Sequence, residues 1–132
     1  MARSAPSRPR SCPPDAVAEW HRIAPELHRI KLLTVVDVGL MAAYCSAFAR
    51  WKAAEEALAR EAEADPDSAG LTVPDAHGTP RLNPLVRIAR NAAQLMLHCA
   101  SQLGCTPTAR ARLAAGIGGQ PPGPSKFDGL IP

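Results

Sequence analysis

The stretch TVVDVGLMAAYCSAFARWKAAEEAL, residues 34–58, sets the architecture. Within it Val36, Leu40, Ala43, Ala47, Trp51, Ala54 and Leu58 recur at alternating steps of three and four, the spacing that lines one side of an α-helix. Thr34 opens the run, and Asp37 stands three residues on, the arrangement of a capping box. Nothing breaks the pattern before the acidic Glu61-Ala62-Glu63-Ala64-Asp65-Pro66, so at about 1.5 Å per residue the spacing predicts a rod of about 40 Å. Its first half, from Val35 to Phe48, is apolar around most of its circumference, more than one neighbour can cover. Flanking helices take two sides. The remainder is expected to meet further copies of the chain, where Gly39 and the alanines permit close approach. Val36, Leu40, Met41, Tyr44, Phe48 and Trp51 are the expected oligomerisation residues. A compact monomer closed by its last short helix is the alternative.

Toward the amino end, Val17, Trp20, Ala24 and Leu27 make one apolar stripe on a first helix ending near Ile30. Pro25 lacks the N–H that would bond to the previous turn, so this helix is expected to kink or split. Residues 1–14, MARSAPSRPRSCPP, hold four prolines and three arginines with no acid, and are expected to form a disordered basic arm. Toward the carboxyl end, residues 66–80 lose the helical period. Leu71-Thr72-Val73 and Arg81-Leu82 flank a turn, leaving room for a small β-hairpin.

Asn83-Pro84 supplies a cap and a first-turn proline, and Leu85, Ile88, Ala92, Leu95, Cys99 and Leu103 are the expected buried side of a third helix stopped by Gly104. Thr106-Pro107 repeats the device before a short helix, Thr108 to Ala115. The expected fold is therefore all-α: a long antiparallel helical hairpin with short flanking helices. Residues 15–116 form its core and oligomerisation domain. Residues 117–132 form a flexible tail in which Phe127, Leu130 and Ile131 are candidate partner-docking residues, an unstructured end being the alternative.

The chain has 132 residues, enough for one domain. Hydrophobic residues are 46% and charged residues 20%, which excludes wholesale disorder, while aromatics at 4% and sparse β-branched residues favour helices. Four cysteines without a C-x-x-C pair suggest a reducing compartment, and the longest uncharged apolar run, Val38 to Phe48, is too short to span a bilayer. No Walker-type loop, dinucleotide-binding fingerprint or nucleophile elbow is present, so no enzyme and no cofactor are expected. His21 and His28 straddle Pro25, His98 and Cys99 point apart, and the acids of the long helix read as a solvated side; no metal is expected. The net charge of +3 is concentrated toward the amino end. Arg3, Arg8, Arg10, Arg22, Arg29 and Lys31 are the candidate DNA-binding residues, with a solubilising tail as the alternative. Arg87, Arg90, Arg110 and Arg112 read as a coating of the helices.

The ordered series Ala18-Glu19-Trp20-His21-Arg22-Ile23-Ala24-Pro25-Glu26-Leu27, Leu32-Leu33-Thr34-Val35-Val36-Asp37, Tyr44-Cys45 with Trp51, Asn83-Pro84-Leu85, and Leu103-Gly104-Cys105-Thr106-Pro107-Thr108-Ala109-Arg110-Ala111-Arg112-Leu113 resembles the small terminase subunits of tailed double-stranded DNA phages. The resemblance spans Pro14 to about Leu113. Similar chains carry a more apolar residue at the place of Cys105, which touches packing only. The resemblance implies a non-enzymatic subunit, acting in the host cytoplasm, that assembles into a ring, binds viral DNA and presents it to a large subunit bearing ATPase and nuclease. A small helical DNA-binding regulator and a protein-binding helical adaptor are the alternatives.

Overall fold

In the computed structural model, which describes residues 4–10 and 12–118, helix α1 spans Pro14–Arg29, α2 Val38–Ala64, α3 Pro84–Gln102 and α4 Pro107–Gly118. Strands β1 (Thr72–Pro74) and β2 (Pro80–Leu82) pair antiparallel between α2 and α3, Thr72 opposite Leu82 and Val73 opposite Arg81. The fold is all-α with a single short ribbon among the described residues, as the sequence predicts.

Local chemistry explains the boundaries. Thr34 donates to the Asp37 carboxylate from both its backbone N–H (3.0 Å) and its hydroxyl (2.8 Å). One 3-10 turn, Val35–Asp37, then leads into α2. Helix α1 runs unbroken through Pro25, contrary to the expected split. The proline sits on the exposed side, while Trp20, Ala24 and Leu27 around it are buried and hold the helix together. Helix α1 ends in a Schellman turn: Lys31 N–H donates to the His28 carbonyl (3.0 Å) and Leu32 N–H to that of Leu27 (2.8 Å). Lys31 occupies the left-handed position with φ of 63°. Helix α3 ends the same way on a glycine, with Gly104 at φ 77°, its N–H donating to Ser101 and that of Cys105 to Ala100. Thr106 caps α4 through its hydroxyl, which accepts from Ala109 N–H at 3.1 Å.

Helix α2 is the middle layer, packed by α3 along its length and by α1 on another side. The core against α1 consists of Ala16, Trp20, Ala24 and Leu27 with Leu33, Met41, Cys45, Ala49 and Leu103. Leu103, from the end of α3, joins residues from the start of α2, which makes the hairpin antiparallel. The other buried positions, Ala47 and Ala54 of α2 and Ala89, Ala92 and Cys99 of α3, are nearly all small, so the two backbones approach closely. This shifts the expected buried side of α3. Ile88 and Leu95 are 41% and 42% exposed on its flank, because the seam selects the small Ala89 and Ala92, and Ala89 lies about 100° round the helix from Ile88.

Asn83, 2% exposed, locks the hairpin turn. Its Oδ1 caps α3 by accepting from Leu85 N–H at 3.0 Å, and its Nδ2 donates to the Gly70 carbonyl (2.8 Å) and to the Glu61 carboxylate near the end of α2. Gly70 has φ of 73°, and a Cβ there would stand 3.0 Å from both Ala62 N and Leu58 O. Only glycine fits that approach.

Candidate nucleic-acid interface

The amino-terminal residues Ala5–Arg10 face α1 across an open cavity of about 420 Å³ whose far wall is Trp20, His21, Ala24 and Pro25. Arg8 donates to the Pro9 carbonyl at 3.2 Å, and Arg10 is exposed, with no side-chain hydrogen bond or ion pair among the described residues. Cys12 packs on the core cluster just before α1 begins. Arg3 lies outside the described residues.

Two arginines singled out from the sequence are tied to acids on their own helix. Arg22 grips Glu19 with two bonds, Nε to Oε2 at 2.8 Å and Nη2 to Oε1 at 2.5 Å. Glu19 is 2% exposed and also accepts from the Tyr44 hydroxyl, so a buried carboxylate joins α1 to α2. Its hydrogen bond holds the Arg22 guanidinium above its ordinary pKa. Burial first, and the nearby Glu19 charge second, push Tyr44 up to about 12. Arg29 repeats the grip on Glu26, wholly in solvent, which lowers the Glu26 carboxyl. Lys31 is exposed and makes no side-chain bond, but its backbone is occupied with the α1 turn. The five described residues therefore do not form one uniform cationic patch: a phosphate approaching Arg22 or Arg29 meets a carboxylate alongside.

The expected oligomerisation residues divide as well. Val36 is 90% exposed and its neighbour Val35 80%, an apolar knuckle between α1 and α2. Leu40, Tyr44, Phe48 and Trp51 are half-buried, Phe48 and Trp51 forming a tilted ring pair with centroids 6.1 Å apart. Met41 is fully buried in the core of this chain. Trp51 also lines a groove of about 320 Å³ between α2 and α3 with Leu58, Leu71, Val86 and Ala93. Phe127, Leu130 and Ile131 lie outside the described residues.

Arg87 and Arg90 on α3 and Arg110 and Arg112 on α4, which the sequence suggests as a coating, are exposed and form no ion pair among the described residues. Lys52 and Arg81, by contrast, engage Asp15 (2.8 Å) and Asp75 (3.2 Å). The signal is present in the sequence: no acidic residue occurs between Asp75 and Asp128. Arg110 lines a second cavity, of about 290 Å³, together with Arg22, Tyr44 and Cys105.

Among the described residues no group of three metal-ligating side chains comes together, and no helix is long and apolar enough to cross a membrane. Helices packed in this order, with exposed arginines on α3 and α4, define an all-α helical-hairpin protein. The chain belongs to the phage terminase small-subunit family: the family model described as phage terminase, small subunit, matches residues 16–118. No match was found among curated proteins or among solved structures.

Proposed function

We propose that this chain is the non-catalytic small subunit of a viral DNA-packaging terminase, binding viral DNA and recruiting or regulating the large ATPase and nuclease subunit in the host cytoplasm. Family membership over residues 16–118 carries this reading, since it gives the chain a role in phage DNA packaging. Two features support the finer parts. Exposed arginines without acidic partners suit a polyphosphate ligand, which they would bind largely through counterion release. Exposed Val35 and Val36, with half-buried Leu40, Phe48 and Trp51, leave apolar surface for identical copies to share in a closed ring.

Titration of a labelled DNA duplex with the full chain over a range of salt tests the DNA-binding part. Affinity should fall linearly on logarithmic axes as salt rises. Absence of binding at low salt would favour a protein-binding adaptor. For the motor partner, removal of Lys126 to Pro132 should abolish stimulation of the large subunit's ATPase and spare assembly; retained stimulation rejects docking through Phe127, Leu130 and Ile131.

A further inference from the structure

Helix α3 turns two different surfaces outward. Beside the seam with α2 are the apolar flanks, Ile88 and Leu95 on one side and Val86, Ala93 and Leu97 on the other. Opposite the seam stand Arg87, Asn91, Gln94, His98 and Ser101, all exposed, with Arg90 at the edge. Every one of these side chains can donate a hydrogen bond. None is acidic, and among the described residues none makes an ion pair or side-chain hydrogen bond. From Arg87 to Ser101 the stripe extends about 21 Å.

The other described residues leave this stripe exposed. Helix α1 packs chiefly on α2, with Leu103 at the end of α3 joining their core. Glu55 of α2 lines the α2–α3 groove with Arg90, and the two make no ion pair. Just beyond the Gly104 turn, Arg112 of α4 is exposed, lines one cavity with Ser101 and Gln102, and makes no ion pair among the described residues, whereas Arg110 lines the cavity toward α1 with Arg22 and Glu26. Unpaired cations thus stand near both ends of α3, with neutral donors between them. That is the arrangement a phosphate backbone needs, with charge for affinity and amide, imidazole and hydroxyl donors for register.

Resting on the DNA-binding reading above, we propose that the outward stripe of α3, continued by Arg112, is the surface that follows the phosphate backbone of double-stranded nucleic acid. Arg22 and Arg29 are secondary to it because each is already neutralised by Glu19 or Glu26. The neutral donors matter in their own right: an acid at Gln94 would set a negative charge in the middle of the track.

The test compares full-length chains binding a labelled duplex of about 30 base pairs, with the slope of log affinity against log salt as readout. Exchanging Arg87, Arg90 and Arg112 together for Gln should lower the slope by about 0.9 for each phosphate left without its arginine, and weaken binding about tenfold or more. Arg8→Gln with Arg10→Gln should change it less. Gln94→Glu, which keeps the helix and removes no arginine, should also weaken binding. Solution mass and thermal midpoint are measured for each variant, so that loss of folding is recognised.

If the wild type binds and both the triple variant and Gln94→Glu bind equally well with the same slope, the stripe is rejected while the DNA-binding reading stands. If the wild type binds no duplex at low salt, both fall together.

Discussion

The hydroxyl of Tyr44 donates to Oε1 of Glu19 at 3.1 Å, joining α2 to a carboxylate that α1 buries to 2% exposure. Arg22 closes the same carboxylate from outside, so one anion is satisfied by two helices at once.

This pairing gives a pH signature. Burial and the Glu19 charge raise Tyr44 to about 12, from an unfolded value of about 10. A raised acid binds its proton more tightly in the folded chain, so its contribution is complete below pH about 10 and is lost as pH climbs toward about 12. Tyr44 is the only tyrosine in the sequence, and tyrosinate absorbance reports it alone. The folded chain should titrate near 12 and the urea-unfolded chain near 10. A folded midpoint near 10 contradicts the pairing. Tyr44→Phe should flatten part of the alkaline stability loss, leaving the part due to Cys45, whose thiol burial also pushes up to about 12.

Lys31 separates structure from charge. Its φ of 63° costs a side-chain-bearing residue about 1 kcal/mol that glycine does not incur. Lys31→Gly should therefore raise unfolding stability by about 0.5–1 kcal/mol in urea titration. If Lys31 also touches a phosphate, the same variant lowers the salt slope of duplex binding by about 0.9. Destabilisation on this substitution would contradict the Schellman turn.

Asn83 needs both ends of its amide. Asn83→Ala removes a cap and orphans the Gly70 carbonyl, and should cost about 2–4 kcal/mol by chemical denaturation. Asn83→Asp keeps the cap acceptor but replaces the donor with a carboxylate facing Glu61, and should be no better than the alanine variant. Wild-type stability for Asn83→Asp would remove Asn83 from its place at the turn.

Much of the fold is readable from residue order. Thr34 with Asp37, Asn83-Pro84, Gly104 and Thr106-Pro107 all mark boundaries that the structure uses, because caps act within a few residues of chain. Pro25 misleads because its local cost is outweighed by tertiary burial of Trp20, Ala24 and Leu27. The buried side of α3 keeps Ala92, Cys99 and Leu103 of its apolar pattern but departs from it at Ile88 and Leu95, because size governs that seam and small Ala89 packs there instead. The pairing of Arg22 and Arg29 is readable, since Glu19 and Glu26 stand three residues before them. That Arg87, Arg90, Arg110 and Arg112 have no acid near them in the chain is readable too, since none stands between Asp75 and Asp128. What residue order does not give is which acids of other helices the fold brings beside them, as it brings Glu55 beside Arg90 and Glu26 beside Arg110 without forming an ion pair.

The proposal that apolar surface around Val35, Val36, Phe48 and Trp51 is shared between copies is tested most directly by light scattering on the purified full chain at high salt. A closed ring has a mass many times 13.9 kDa that persists when salt has screened the charges. A stable species of 13.9 kDa at working concentration would contradict it.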